Sequence, residues 1–362
     1  MKHLRQFIVT PLLLILLVAC APIDPSVLEM DEAAMDATAV PAEEASEEVA
    51  SASDGCEEGF RLFDHELLAS DPLCIPIAPE RVVTLDIAAL EFMLITDQAP
   101  VGAGEWMLQE LPLLLPEYAD TLAPLEGVGW PADIEQLARF QPDLILAPEG
   151  SVDLDLAAEI APVVVPDPAI WETWQNGMEF WGAVLNQQDL YAYMETAYAQ
   201  RIVELQSALS EPEAMEISVV STSTDGIWLW MPDSAPGAVL VDAGLGRPEG
   251  QSLVGEEAIA RYEEKQWVGI SEERIDLVDG DFIFYFTYAA VDAEVAAEEQ
   301  AYIDTLTEKP LWQSLEAVKE DKAFFVLGHW WRAQTYLLAN KVIDDLFIHL
   351  TDTTSTTPVL PE

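Results

Sequence analysis

Hydrophobic positions follow two rhythms along this chain. Short apolar runs at Arg81-Val82-Val83-Thr84-Leu85, Val101, Asp143 to Ala147 and Val163 to Val165 predict buried strands in the first half. Ile217 to Ser221, Ile227 to Trp230, Phe282 to Phe286 and Phe324 to Val326 do the same in the second. Helical stretches separate them, at Ala88 to Leu94, Leu154 to Ile160 and Ala333 to Leu350. Strands alternating with helices predict an α/β fold, with a parallel sheet in the first half and a repeat of that style in the second. In the middle, Leu190, Met194, Ala197, Tyr198, Ile202, Leu205 and Leu209 recur at steps of three or four residues, which predicts one amphipathic helix over Asp189 to Leu209. At 1.5 Å per residue it is roughly 30 Å long, enough to run beside two lobes and restrict their hinge motion.

One pattern occurs twice. Asp133-Ile134-Glu135-Gln136-Leu137 leads to Asp143-Leu144-Ile145-Leu146, and Ser271-Glu272-Glu273-Arg274-Ile275 leads to Asp281-Phe282-Ile283-Phe284, with the same spacing from glutamate to aspartate. Each reads as an acidic helix start feeding an apolar strand. Such an internal duplication implies two similar α/β lobes with a ligand cleft between them.

The N-terminal region adds a location. Lys2 and Arg5 precede an apolar run ending Leu17-Val18-Ala19-Cys20, the pattern of an export signal and too short for a bilayer span. Leu-Val-Ala-Cys resembles the bacterial lipobox, which implies cleavage before Cys20 and lipidation of its thiol. Residues 21–55 then hold ten Asp or Glu and no Lys or Arg, a composition that buries too little apolar surface to fold and reads as an acidic, disordered tether. Cys56 and Cys74 flank a short segment in a chain leaving the cytoplasm, so a disulfide is expected. The resulting division is signal peptide 1–20, tether 21–55, N-terminal lobe 56–187, linking helix 188–210, C-terminal lobe 211–350 and a disordered tail 351–362.

Charge narrows the partners. The 66 Asp and Glu against 15 Lys and Arg give a net charge of -51, which repels nucleic acid and disfavours strongly anionic ligands unless arginines cluster locally. Enzyme chemistry finds no footing. Gly-x-Ser-x-Gly is absent, and neither Gly102-Ala103-Gly104 nor Gly244-Leu245-Gly246 continues into a phosphate loop. His65, His329 and His349 form no ligand spacing, so no direct metal site and no cofactor are expected. A secreted hydrolase has no motif behind it, and a structural lipoprotein would explain the anchor but not the two-lobe pattern.

Several segments together resemble a known family. Pro79-Glu80-Arg81-Val82-Val83, Val101-Gly102, the segment from Val128-Gly129-Trp130 to Asp143-Leu144-Ile145, Asp242-Ala243-Gly244-Leu245, Pro310-Leu311-Trp312 and Ala317-Val318-Lys319 resemble the ferric-siderophore and cobalamin class of ABC-transporter substrate-binding proteins. No single motif decides this; their order and spacing over about residues 56 to 350 do. The resemblance implies two Rossmann-like lobes joined by a single long α-helix, the class III periplasmic-binding-protein arrangement. It further implies a monomeric, lipid-anchored extracytoplasmic receptor that delivers a ferric siderophore, or else haem or a corrinoid, to an ABC permease dimer with its ATPase. Glu135 and Glu273 match the positions that dock on permease arginines in that family. The competing reading is that both merely complement helix dipoles.

Family clefts are rich in aromatics and arginine at loops after strand ends. The residues here of those types at such places are Trp106, Trp130, Trp228, Trp230, Arg247, Tyr285, Tyr288, Trp330 and Arg332. Trp130, Arg247, Tyr288 and Arg332 have the polar or loop neighbours that argue most against burial.

Overall fold

A computed structural model describes residues 55–288 and 292–361. The signal segment, Cys20 and nearly all of the acidic tether lie outside the described residues. A hairpin of β1 (Phe60–Phe63) and β2 (Leu73–Pro76) opens the fold, and the Cys56–Cys74 disulfide ties it to the chain.

The first large sheet contains β3 (Val82–Thr84), β4 (Gly102–Ala103), β5 (Glu126–Gly127), β6 (Leu144–Leu146) and β7 (Val163–Val164). All pairings are parallel, in the order β5-β4-β3-β6-β7. β3 and β6 are buried along their whole length because helices cover both faces, which is why their residues form unbroken apolar runs. Around this sheet lie α1 (Ile87–Ile95), α2 (Glu105–Leu114), α3 (Ala119–Leu122), α4 (Ile134–Arg139), α5 (Leu154–Ala158) and α6 (Trp174–Val184). The long α7 (Gln188–Ala208) then leads to the second lobe.

That second sheet contains β8 (Ile217–Ser223), β9 (Gly226–Trp230), β10 (Trp267–Ile270), β11 (Phe282–Phe286) and β12 (Ala323–Phe325), ordered β10-β9-β8-β11-β12. Its helices are α8 (Ala235–Asp242), α9 (Gly255–Tyr262), α10 (Ala293–Thr307), α11 (Glu316–Lys319) and α12 (Tyr336–Thr351). β8, β11 and β12 are parallel, but β9 is antiparallel to both β8 and β10. The second lobe repeats the strand order of the first, as expected, and the expected parallel style is corrected for β9 alone. Ser223 pairs with Gly226 across a two-residue turn, too short for the crossover that a parallel partner needs.

The lobes also share the strand-start geometry behind the sequence repeat. Asp143, just before β6, accepts from the backbone N–H of Glu80 at 2.7 Å and Arg81 at 3.0 Å, while its own N–H donates to Arg81 O at 3.0 Å. Asp281, just before β11, accepts from Glu216 N–H at 2.8 Å and donates to Glu216 O at 2.8 Å. In both lobes the repeated aspartate pins the start of one central strand to that of its neighbour.

A continuous apolar core passes from lobe to lobe through α1, α6, α7 and α12, with the Trp174 ring packed at a tilt against Tyr198 and Tyr336 at 4.9 and 5.1 Å. Thus α12 forms a second rod beside α7, and Arg201 of α7 pairs with Asp344 of α12. The start of α12 rests on the first lobe: Glu91 of α1, fully buried, accepts from Leu337 N–H at 2.7 Å and Thr335 Oγ1 at 2.5 Å. The expected disordered tail is also corrected. Ser355, Thr356 and Thr357 bond to Glu204 of α7, Tyr193 and Tyr336 donate to Pro358 O and Val359 O, and Val359 and Leu360 pack on the core. Its Ser and Thr content reads as loop, but its partners lie some 150 residues earlier in the chain.

Candidate functional site

Strands β3 and β6 end at the mouth of the first lobe, and their loops build one wall of a cleft. The residues Leu85, Asp86 and Ile87 follow β3, Pro148 and Glu149 follow β6, and Trp171 sits in a 3-10 turn after β7. Asp86 caps α1 by accepting from Ala89 N–H, and also takes the indole N–H groups of Trp171 at 2.9 Å and Trp181 at 2.8 Å. Burial raises its pKa, against the pull of these bonds. With both of its oxygens engaged, Asp86 fixes the ring of Trp171 in the cleft floor.

Two more tryptophans extend this wall. Gly104 lets their rings close in, since a Cβ there would meet Met107 at 3.0 Å and Trp106 and Trp130 at 3.5 Å. Trp106 and Trp130 meet edge to face at 5.7 Å, and Trp130 is 49% exposed. The turn that presents Trp130 passes through Gly129 at φ 83°, a conformation that favours glycine.

Opposite lies the loop between β12 and α12. Arg332 inserts its guanidinium between Trp331, 3.8 Å from that ring centroid, and Trp106 at 4.7 Å. It forks onto Glu110 of α2, with Nε to Oε1 at 2.9 Å and Nη2 to Oε2 at 2.8 Å, and the Trp331 indole donates to the same carboxylate at 3.3 Å. Tyr288, after β11, stacks edge-on to Trp331 at 5.1 Å, and its hydroxyl is 3.4 Å from Ser221 Oγ. Burial raises its pKa. The space between these walls is about 260 Å³, lined by the first lobe together with Arg332 and Gln334 of the loop before α12. A depression of about 420 Å³ beside α4 is lined by the first lobe alone, by Glu126, Gly127, Gln136, Arg139 and Phe140, and lacks aromatic walls on two sides.

Of the nine residues expected to bind ligand, Trp106, Trp130 and Arg332 line this cleft, and Tyr288 backs it through Trp331. The other five lie elsewhere. Trp330 is fully buried, stacked on Phe284 at 4.7 Å and bonded to Asp345 at 2.7 Å, so it is a core residue. Trp230 is 6% exposed and donates to Ser221 Oγ at 2.9 Å, placing it behind the cleft wall as a support. Trp228 stands half-buried opposite Gly269 of β10. Tyr285 packs on Trp312 and Phe325 under α10 and α11. Arg247 bonds Trp230 O and Gln251, with Nε and Nη1 buried and unpartnered, and burial lowers its pKa to about 9. The expectation for Trp330, Trp230, Tyr285 and Arg247 is corrected by their packing: Trp230 and Tyr285 lie within β9 and β11, Arg247 follows α8 and Trp330 follows β12, and all four pack within the second lobe, away from the cleft. Sequence reasoning missed Trp171, which follows β7 and answers to the same strand-end rule, and it missed Glu110, which no local signal marks.

Glu135 and Glu273 are both exposed and have no hydrogen bond or ion pair among the described residues, whereas the neighbouring Glu272 pairs with Lys309. No cluster of His, Cys, Asp or Glu suited to a metal ion occurs among the described residues, and no helix among them is long and apolar enough to cross a membrane.

Two α/β lobes, a long helical link and a cleft walled by both lobes define a class of two-lobed solute receptors. The chain matches the family described as periplasmic binding protein over residues 115–326, and belongs to it. It is similar to the "Probable siderophore-binding lipoprotein YfiY" of Bacillus subtilis (strain 168), 27% identical over 309 residues, 83% of this chain and 91% of that protein. It is also 24% identical over 280 residues to the achromobactin-binding periplasmic protein of Dickeya dadantii (strain 3937), 74% of this chain and 85% of the relative. Among solved structures, Staphylococcus aureus SirA complexed with staphyloferrin B superposes with a TM-score of 0.66 at 23% identity, covering 80% of this chain and 98% of SirA.

Proposed function

We propose that this protein is a lipid-anchored, extracytoplasmic receptor that captures a ferric siderophore between its lobes and presents it to an ABC importer. The observation that carries the reading is the aromatic cleft to which both lobes contribute, Trp106, Trp130 and Trp171 on one side and Arg332 with Gln334 on the other, Arg332 being backed by Trp331 and Tyr288. Rigid indole faces suit a bulky chelate that presents organic ligand rather than bare metal. Relatives named for siderophore or achromobactin binding support the same class. The reading involves no catalysed reaction.

Lipidation of Cys20 would hold the receptor at the membrane, with residues 21–55 as an acidic spacer. In each sequence repeat the aspartate is used inside the lobe while the glutamate stays exposed and without a partner among the described residues, and that contrast supports Glu135 and Glu273 as the charges that meet permease arginines. Such charges steer orientation and association more than affinity. A monomer suffices for this role.

Native mass spectrometry of the purified protein against ferric siderophores, haem and corrinoids tests the ligand, and retention of haem or a corrinoid but no ferric siderophore would overturn it. Glu135→Ala with Glu273→Ala should abolish uptake while chelate affinity stays within about twofold; undiminished uptake would overturn the docking role.

A further inference from the structure

The cleft is poor in positive charge. Of its lining side chains Arg332 alone is cationic, and the buried Glu110 carboxylate already neutralises it through two hydrogen bonds. Glu149 sits exposed on the opposite rim, and Asp86 adds a second carboxyl group in the floor. Even with the Asp86 carboxyl protonated, the site carries net negative charge. The surrounding field has the same sign, from a chain of net charge -51.

An iron(III) centre held by three hydroxamates is neutral, and becomes cationic where the chelator carries a free ammonium. Three catecholates instead leave the complex a trianion, which would need several unpaired guanidinium or ammonium groups in its binding site. The structure offers none at this cleft among the described residues. Aromatic faces, by contrast, suit a neutral chelate and attract a pendant ammonium.

Resting on the receptor reading above, we infer that the cleft selects hydroxamate-type iron chelates without net negative charge, and that Glu110 sets this selectivity by neutralising Arg332. Arg332 then serves as a flat, stacked extension of the Trp106–Trp331 wall. Its capacity to hold an anion is withheld while Glu110 is in place.

Tryptophan quenching and calorimetry on the purified protein test this with three gallium- or iron-loaded probes: desferrioxamine B, a monocation when loaded; its N-acetylated form, neutral; and enterobactin, a trianion. Wild type is expected to bind the first two at least about 100-fold more tightly than the third at low salt, since a trianion meets a cleft and a chain that both carry negative charge. Glu110→Gln should narrow that ratio by about tenfold or more, by unmasking one positive charge. Glu149→Gln, on the exposed rim, should narrow it less and in the same direction, which keeps the test available if Glu110→Gln does not fold. Trianion binding equal to or tighter than the other two in wild type would overturn the inference. So would an unchanged ratio in folded Glu110→Gln or, failing that variant, in Glu149→Gln. Binding of none of the probes, with haem or a corrinoid retained instead, would overturn the siderophore reading itself and this inference with it.

Discussion

Glu91 puts a carboxyl group in the apolar core where the first lobe meets the start of α12, and this makes stability depend on pH in a calculable way. Burial raises its pKa from the ordinary 4.5 to about 7, against smaller opposing contributions from Thr335, Leu337 N–H and Lys341. The folded state therefore binds the proton more tightly than the unfolded chain does. Stability is full below pH 4.5, is lost as pH rises from 4.5 through 7, and levels off above that; the whole difference corresponds to about 3 kcal/mol. Glu91→Gln keeps the shape and hydrogen bonds, since Oε1 can accept from Leu337 N–H and the amide can donate to Thr335 Oγ1. It removes the titration. Urea denaturation of both proteins at pH 5 and pH 8 should show the variant gaining about 2 to 3 kcal/mol on wild type between the two conditions. Glu91→Ala leaves Leu337 N–H buried without a partner and removes the cap of α12, and should lose roughly 2 to 4 kcal/mol at pH 5. Parallel pH dependence in wild type and Glu91→Gln would refute the reasoning.

Replacing Cys56 and Cys74 together by Ser should destabilise the fold by about 3 kcal/mol through the 18-residue loop, visible as a thermal midpoint about 5 °C lower by scanning calorimetry. Glu204→Ala should free the C-terminal segment, and limited proteolysis with mass readout at pH 7 should then remove residues that wild type protects. Bonds from Ser355, Thr357 and Thr356 lower the Glu204 pKa to about 2, so this restraint is present above pH 4.5 and should be lost as pH falls toward 2, followed by the same proteolysis at acid pH. Trp330→Ala should lose about 3 to 5 kcal/mol in denaturation, whereas Trp130→Ala should stay within about 1 kcal/mol of wild type and weaken chelate binding at least tenfold.

The parts of the fold that were legible in the sequence are those set by local periodicity. β3, β6 and β8 announce themselves because strands covered on both faces must be apolar throughout, and α7 because its inner face recurs at helical spacing. The direction of β9 was also encoded, in the two residues between Ser223 and Gly226, but the alternation of elements suggested a parallel repeat instead. The candidate site was only half legible. Trp330 and Trp331 are adjacent and chemically identical, yet a 3-10 turn rotates each residue by about 120°, sending one into the core and one to the cleft. Glu110 and Arg332 are 222 residues apart, and their pairing depends on how two lobes face each other, which no local pattern records. The tail misled for a similar reason: its Ser and Thr residues bind Glu204, a residue on an otherwise solvated face of α7.

The core shared by α1, α6, α7 and α12 limits how such a receptor can be re-engineered. Swapping one half against a homologue to change cargo would cut through Trp174, Tyr198, Tyr336 and Glu91 at once, so a chimera joined within α7 should be insoluble even where each parent folds well. New specificity is more accessible by grafting the mouth loops, around Trp130 and Trp331, onto an unchanged chassis.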